Sequence, residues 1–176
     1  MANNYTSYAA EFEFPQKAAE DFINILRAFG SVGSENSEEV CKILPEWYAK
    51  KYDLLQDGKV SINKFEDFYD REEMYRVSSP EVIEYDKSAG VLYFGSESDD
   101  PYAIADILSD VMQEHGCEEA ICFEVAFTCS KLRPGEFGGA AIAVGPGIVR
   151  SMGTAEMTDS LKRGIEAELW RSESKS

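Results

Sequence analysis

At 176 residues the chain is the size of one domain and can bury a real core, and its 12% aromatic content argues against disorder. Its 33 Asp and Glu against 17 Lys and Arg leave a net charge of −16. That balance disfavours direct contact with nucleic acid or an anionic membrane, because phosphate contacts need basic side chains. No stretch approaches the ~18 apolar residues of a membrane span, and the opening MANNYTSYAAEFEF has neither the basic start nor the apolar core of a signal peptide. A cytoplasmic protein is expected.

Tyr8, Ala10, Phe12 and Phe14 alternate with Glu11 and Glu13, a strand that Pro15 ends. Over 16–29, Phe22, Ile25, Leu26 and Phe29 repeat at i, i+3, i+4 and i+7, the apolar stripe of a helix. Gly30 to Asn36 breaks it. Residues from about 31 to 79 then read as a mainly helical insertion, with a helix from Ser37 that Pro45 restarts. Asp53 to Phe65 resembles the second half of an EF-hand calcium loop, with Asp57-Gly58 at its turn. Leu55 stands where an oxygen ligand belongs and Lys64 where a bidentate glutamate belongs, so the expectation is a turn without calcium. Glu66 to Glu73 is an acidic helical run interleaved with Phe65, Phe68 and Tyr69.

Val82 to Tyr85 and Val91 to Phe94 flank Asp86-Lys87-Ser88-Ala89-Gly90, a hairpin signal. After an acidic loop, Pro101 opens a helix with Ile104, Ile107, Leu108, Val111 and Met112 on one stripe, closed by His115 and Gly116. From Ile121 the pattern alternates again: Ile121, Phe123, Val125 and Phe127 on one face, Cys122, Glu124 and Ala126 on the other. A loop at 131–135 leads to a strand of small residues, Gly138 to Val144. Gly145-Pro146-Gly147 turns into a third strand at 148–152. Thr154 is placed to cap a final helix bearing Met157, Leu161, Ile165 and Leu169, and the elements as a group look arranged to pack on this hairpin.

Without the insertion the order is β-α-β-β-α-β, which predicts a single α+β domain over 1–176 with a ferredoxin-like antiparallel sheet. Helices 16–29 and 101–115 should cover its apolar face. The expected core includes Phe12, Phe22, Leu26, Ile104, Leu108, Val111, Phe123, Val125 and Phe127.

Catalytic signatures are missing. The four cysteines lack a C-x-x-C and read as buried thiols, not as zinc ligands. The single histidine reads as a helix-end residue, Gly145-Pro146-Gly147 lacks the third glycine of a dinucleotide fingerprint, and no nucleophile or metalloprotease motif occurs. No cofactor is expected, and a binding protein is favoured over an enzyme.

Between Lys87 and Lys131 no Lys or Arg interrupts nine carboxylates. Asp106, Asp110 and Glu114, at i, i+4 and i+8, form a row on one helix face, preceded by Asp99 and Asp100. These five residues are the expected docking surface for a protein partner with a basic, nucleic-acid-binding face, which binding would inhibit. The alternative is a small-ligand site beside the glycine-rich hairpin at 133–147, using Arg133, Glu136, Gly138 and Gly139. At Thr128-Cys129-Ser130, Arg133 and Gly135-Glu136-Phe137-Gly138-Gly139 the hairpin resembles a segment of small uncharacterised proteins of phages and mobile elements, some related to ferredoxin-like proteins of the YubB type. The resemblance covers about a fifth of the chain, implies an origin, and carries over no catalytic residue.

Overall fold

The computed structural model describes residues 4–32, 37–72, 77, 82–97, 99–129 and 138–173. Alternating apolar and polar residues build β1 (Asn4–Glu13), and Pro15, with no N–H to give a ladder, stands at the start of α1 (Gln16–Gly30). Three short helices follow, α2 (Ser37–Ile43), α3 (Glu46–Lys51) and α4 (Ile62–Arg71). A two-stranded hairpin of β2 (Leu55–Gln56) and β3 (Lys59–Val60) lies between the last two. Asp57 and Gly58, both at positive φ (52° and 75°), make its turn, the geometry that two-residue hairpins favour. The chain continues through β4 (Val82–Asp86), β5 (Val91–Ser96), α5 (Pro101–Glu114), β6 (Ile121–Cys129), β7 (Gly138–Gly145), β8 (Ile148–Gly153) and α6 (Thr154–Glu173).

Six strands form one antiparallel sheet in the order β4-β5-β1-β6-β7-β8. The fold is therefore α+β with a large antiparallel sheet. It is wider than the four-stranded ferredoxin-like sheet that the sequence predicts, because β7 and β8 continue the ladder past β6.

One face of the sheet is apolar and faces the helices. Tyr8, Leu92, Phe94, Phe123, Val125, Ala140, Ile142 and Val144 are buried there. Helix α1 packs against β4 and α5, and α5 against β7 and β8. Phe94 is the hub: Tyr8, Phe12, Phe22 and Phe123 set their rings around it at centroid distances of 5.5–6.1 Å, in the edge-on geometry aromatic pairs favour. Of the expected core, Phe22, Leu26, Ile104, Leu108, Val111, Phe123 and Val125 are buried, but Phe12 and Phe127 are only partly so. Phe127 sits opposite Gly138, which has no side chain to cover its flank.

The segment between α1 and β4 extends the core past the end of the sheet. Phe29 of α1 stacks on Phe65 of α4 at 5.2 Å, and Tyr48, Ala49, Leu54 and Phe68 are buried beside them. Helix α6 behaves otherwise. Two residues of its stripe stand in the open, Leu161 at 70% and Ile165 at 61% exposed. Its start is anchored where Thr154 Oγ1 accepts the Gly139 N–H at 3.2 Å and the Glu156 carboxylate accepts the Gly153 N–H at 3.1 Å. The capping role expected of Thr154 thus falls to Glu156. Among the described residues no helix is long and apolar enough to cross a membrane.

Candidate functional site

The alternation that builds the core also dictates what the opposite face carries. Strands β1, β4, β5 and β6 contain five carboxylates, Glu11, Glu13, Glu84, Asp86 and Glu124, and no Lys or Arg. Strand register places all five on the face turned away from α1 and α5. Glu84 lies beside Tyr93, which lies beside Glu11; Asp86 lies beside Val91, which lies beside Glu13; Glu124 lies opposite Ala9. Every one of the five is exposed. Asp86 also serves its own turn, accepting from the Ser88 hydroxyl and from the Ser88 and Ala89 N–H groups, which lowers its pKa.

Between these carboxylates the residues are small. Ser7, Ala9, Gly95 and Ala126, with Val82 and Tyr93, line a shallow concavity of about 770 Å³ bordered by Glu11, Glu97 and Glu124. Gly95 is required by the close approach of β5 to β1: a Cβ there would stand 2.8 Å from the Tyr8 carbonyl oxygen. Neighbouring strands are about 4.8 Å apart and residues two apart on a strand about 7 Å. The carboxylates therefore stand at spacings comparable to phosphates along a nucleic-acid strand, about a shallow floor.

The acidic row expected on α5 is interrupted in its middle. Asp110 is held by the Lys51 ammonium and the Tyr52 phenol, both contributed by the segment that follows α3's start and packs over α5. Burial and the bond to Asp110 raise the Tyr52 pKa. Asp106 is exposed at its rim, and partial desolvation followed by the like charges of Asp110 and Asp100 raises its pKa. Asp100 caps α5, accepting the Tyr102 N–H at 2.9 Å. Asp99 is buried, its N–H donating to the Ser96 hydroxyl at 3.1 Å. Of the five, Asp106 and Glu114 are exposed without such a structural duty.

For the alternative site, Arg133 and Glu136 lie outside the described residues. Gly138 and Gly139 are packing positions: an added Cβ would stand 2.9 Å from Thr154 Oγ1 and 2.7 Å from the Val125 carbonyl oxygen, respectively. The concavity of about 770 Å³ lies on the open sheet face and is not lined by Gly138 or Gly139.

A buried polar cluster escaped the sequence reading. Asp21 on α1 is 3% exposed and accepts from Lys17 Nζ at 2.7 Å, Trp47 Nε1 at 2.8 Å and His115 Nε2 at 3.0 Å. Burial pushes its pKa up, but the three donors outweigh it and the carboxyl is held below its ordinary range. His115 closes α5 as expected and also ties that helix end to α1. An Asp–His pair would suit base catalysis. Among the described residues no serine, threonine or cysteine hydrogen-bonds His115.

The cysteines differ from expectation. Cys41 and Cys122 are exposed free thiols and Cys117 is partly buried, with its pKa raised by that burial. Among the described residues no group of three or more His, Cys, Asp or Glu is placed to hold a metal ion. Compared with family models, curated proteins and solved structures, the chain matches none.

Proposed function

We propose that this is an acidic interaction protein that docks, through the open face of its sheet, onto the basic, nucleic-acid-binding surface of a protein partner in the cytoplasm and blocks it. One observation carries the reading: the four strands β4, β5, β1 and β6 present five carboxylates and no cation on one side. A flat array of one sign steers a basic partner and fixes its register. This face takes the place of the α5 row, of which Asp106 and Glu114 form at most an outlying part. A phage or mobile-element origin, as the resemblance at 128–139 implies, belongs to the same reading.

The fold reading that goes with it is a ferredoxin-like unit made of β1, α1, β4, β5, α5 and β6, extended by β7 and β8. Its support is the adjacency β4-β5-β1-β6, all antiparallel, in which the strand after the first helix lies at one edge and the last strand of the unit flanks β1.

The test is capture of host proteins on the immobilised chain with salt-graded elution, beside a Glu11→Gln, Glu84→Gln, Glu124→Gln variant that keeps shape and removes charge. The variant should lose at least about tenfold in affinity, mainly through a slower on-rate, with a shallower salt dependence. Equal capture by both proteins at every salt concentration would remove the open face as the docking surface. Loss on an Asp106→Asn, Glu114→Gln variant instead would return the site to α5.

A further inference from the structure

We propose that the cleft at the end of the sheet, where β1, α5 and the β4–β5 turn meet, binds a small organic ammonium ion, an alkylamine whose chain lies in the cleft and whose head sits among carboxylates. Three connections converge there. Phe14 and Pro15 lead from β1 into α1, Ala89 and Gly90 close the β4–β5 turn, and Cys117 to Glu119 lead from α5 towards β6. Backbone bonds hold the walls: the Phe14 N–H donates to the Gly90 carbonyl and the Cys117 N–H to the Met112 carbonyl, both at 2.9 Å. The cleft measures about 390 Å³. At roughly 30 Å³ per water it has room for about a dozen heavy atoms, the low end of ligand pockets.

The lining decides the chemistry. Phe14, Pro15, Met112, Cys117 and Ile121 make an apolar floor, and partial burial raises the Cys117 pKa and keeps the thiol neutral. The charged groups of the lining are Glu13, Glu118 and Glu119, all exposed. Hydrogen-bond donors are scarce. Pro15 has no N–H, the amides of Phe14, Gly90 and Cys117 are engaged by carbonyls, and the Ala89 amide by the Asp86 carboxylate at 3.2 Å. No side chain of the lining is a strong donor. An anion would meet only acceptors and hydrocarbon here. A cation with N–H donors on an apolar body meets its complement, charge-assisted bonds at the rim and burial of its methylenes beneath.

The chain's own cations are turned elsewhere. The Lys, Arg and His residues within two positions of the lining are Lys17, Lys87 and His115. Lys17 Nζ and His115 Nε2 lie on Asp21 at 2.7 and 3.0 Å, and Lys87 Nζ on Glu20 at 3.6 Å. A metal ion fits less well, because among the described residues no three His, Cys, Asp or Glu are placed to hold one. Of the five carboxylates on the open sheet face the cleft uses Glu13 alone, so this site and docking on that face fail separately.

Calorimetric titration of the full chain with methyl-, butyl- and hexylammonium chloride at fixed ionic strength tests the proposal. Each added methylene should tighten binding by up to about fourfold. Hexanol, with the same body and no charge, should bind at least about tenfold more weakly than hexylammonium. Glu13→Gln with Glu118→Gln and Glu119→Gln keeps the cleft and removes its charge, whereas Ala89→Phe keeps the charge and fills the cleft. With folding checked by thermal melts, each variant should weaken hexylammonium binding by about tenfold or more. Methyl carbon-13 shifts on titration should centre on Ala89, Met112 and Ile121. Equal binding of the three amines, or a folded Ala89→Phe variant that binds as wild type does, would overturn the proposal in favour of an acidic surface that holds ammonium anywhere. No hexylammonium binding up to about 10 mM would overturn it outright. Should Ala89→Phe fail to fold, the chain-length series still decides.

Discussion

Asp21 shows how much one buried carboxylate can organise. Its three donors come from α1 itself, from Trp47 in the segment after α2 and from His115 at the end of α5, so it ties three separate stretches at one point. Because the folded carboxyl sits below its unfolded pKa, its contribution is present above the ordinary carboxylate range and is lost as pH falls through the folded value. Since Asp21 is ionised, the His115 Nε2 beside it must be the donor. Asp21→Asn removes the charge-assisted character of all three bonds and should cost about 2–3 kcal/mol at neutral pH. Urea unfolding across an acid series should then show a smaller acid-induced loss in the variant than in the wild type. An equal loss in both would place the acid sensitivity elsewhere. None of this was legible in the sequence: His115 and Asp21 are 94 residues apart, and a lone histidine after an amphipathic stripe signals only a helix end.

Elements were legible where one period dominates. Helices α1 and α5 carry unbroken 3.6-residue stripes, and β5 and β6 alternate cleanly, so their faces could be assigned residue by residue. Phe123 is the sharpest instance: it is 4% exposed and its ring lies against Tyr8 and Phe94. Phe123→Ala should cost about 3–5 kcal/mol, and a urea midpoint shift worth less than about 1 kcal/mol would mean that the strand's faces are reversed. Strand β1 starts at Asn4, earlier than its apolar pattern, because Asn4 to Ser7 are ordered by pairing with β6 and not by hydrophobicity. The α6 stripe misled in the opposite sense, since periodicity names an apolar face but not what covers it.

The loop at 53–64 was legible in chemistry and in shape. Lys64 Nζ donates to the Asp53 carbonyl at 3.1 Å and to its carboxylate at 3.3 Å, so an ammonium stands beside the residue that would be the first calcium ligand. Leu55→Asp with Lys64→Glu restores two missing oxygen ligands and should create a weak, millimolar calcium site visible by calorimetry. Wild type that binds calcium as well as the double variant would contradict the assignment of Lys64 as the obstacle.

For the whole molecule, the open face sets stability against use. Its carboxylates were each visible in the sequence, but their sum was not. Glu11, Glu84 and Glu124 become neighbours only through the pairing of β1 with β5 and β6 and of β5 with β4, long-range register that no local pattern encodes. Glu84 and Glu11 flank Tyr93 on either side, so their strands are about 10 Å apart. That equals the Debye length near 0.1 M salt: the repulsion is felt in dilute buffer and largely screened above physiological ionic strength. Like charges at such spacing cost a few tenths of a kcal/mol per pair, and the net charge of −16 adds to them at longer range. The wild type should therefore gain stability as salt rises from about 0.01 to 0.15 M, the range over which the Debye length shrinks from about 30 to about 8 Å. The Glu11→Gln, Glu84→Gln, Glu124→Gln variant should be more stable than wild type by about 0.5–1 kcal/mol in dilute buffer, and the two should converge at high salt. Urea melts at both ionic strengths decide this. A variant less stable than wild type in dilute buffer would mean that these carboxylates serve the fold. A more stable one would mean that the chain keeps them at a cost, as a surface selected for docking would.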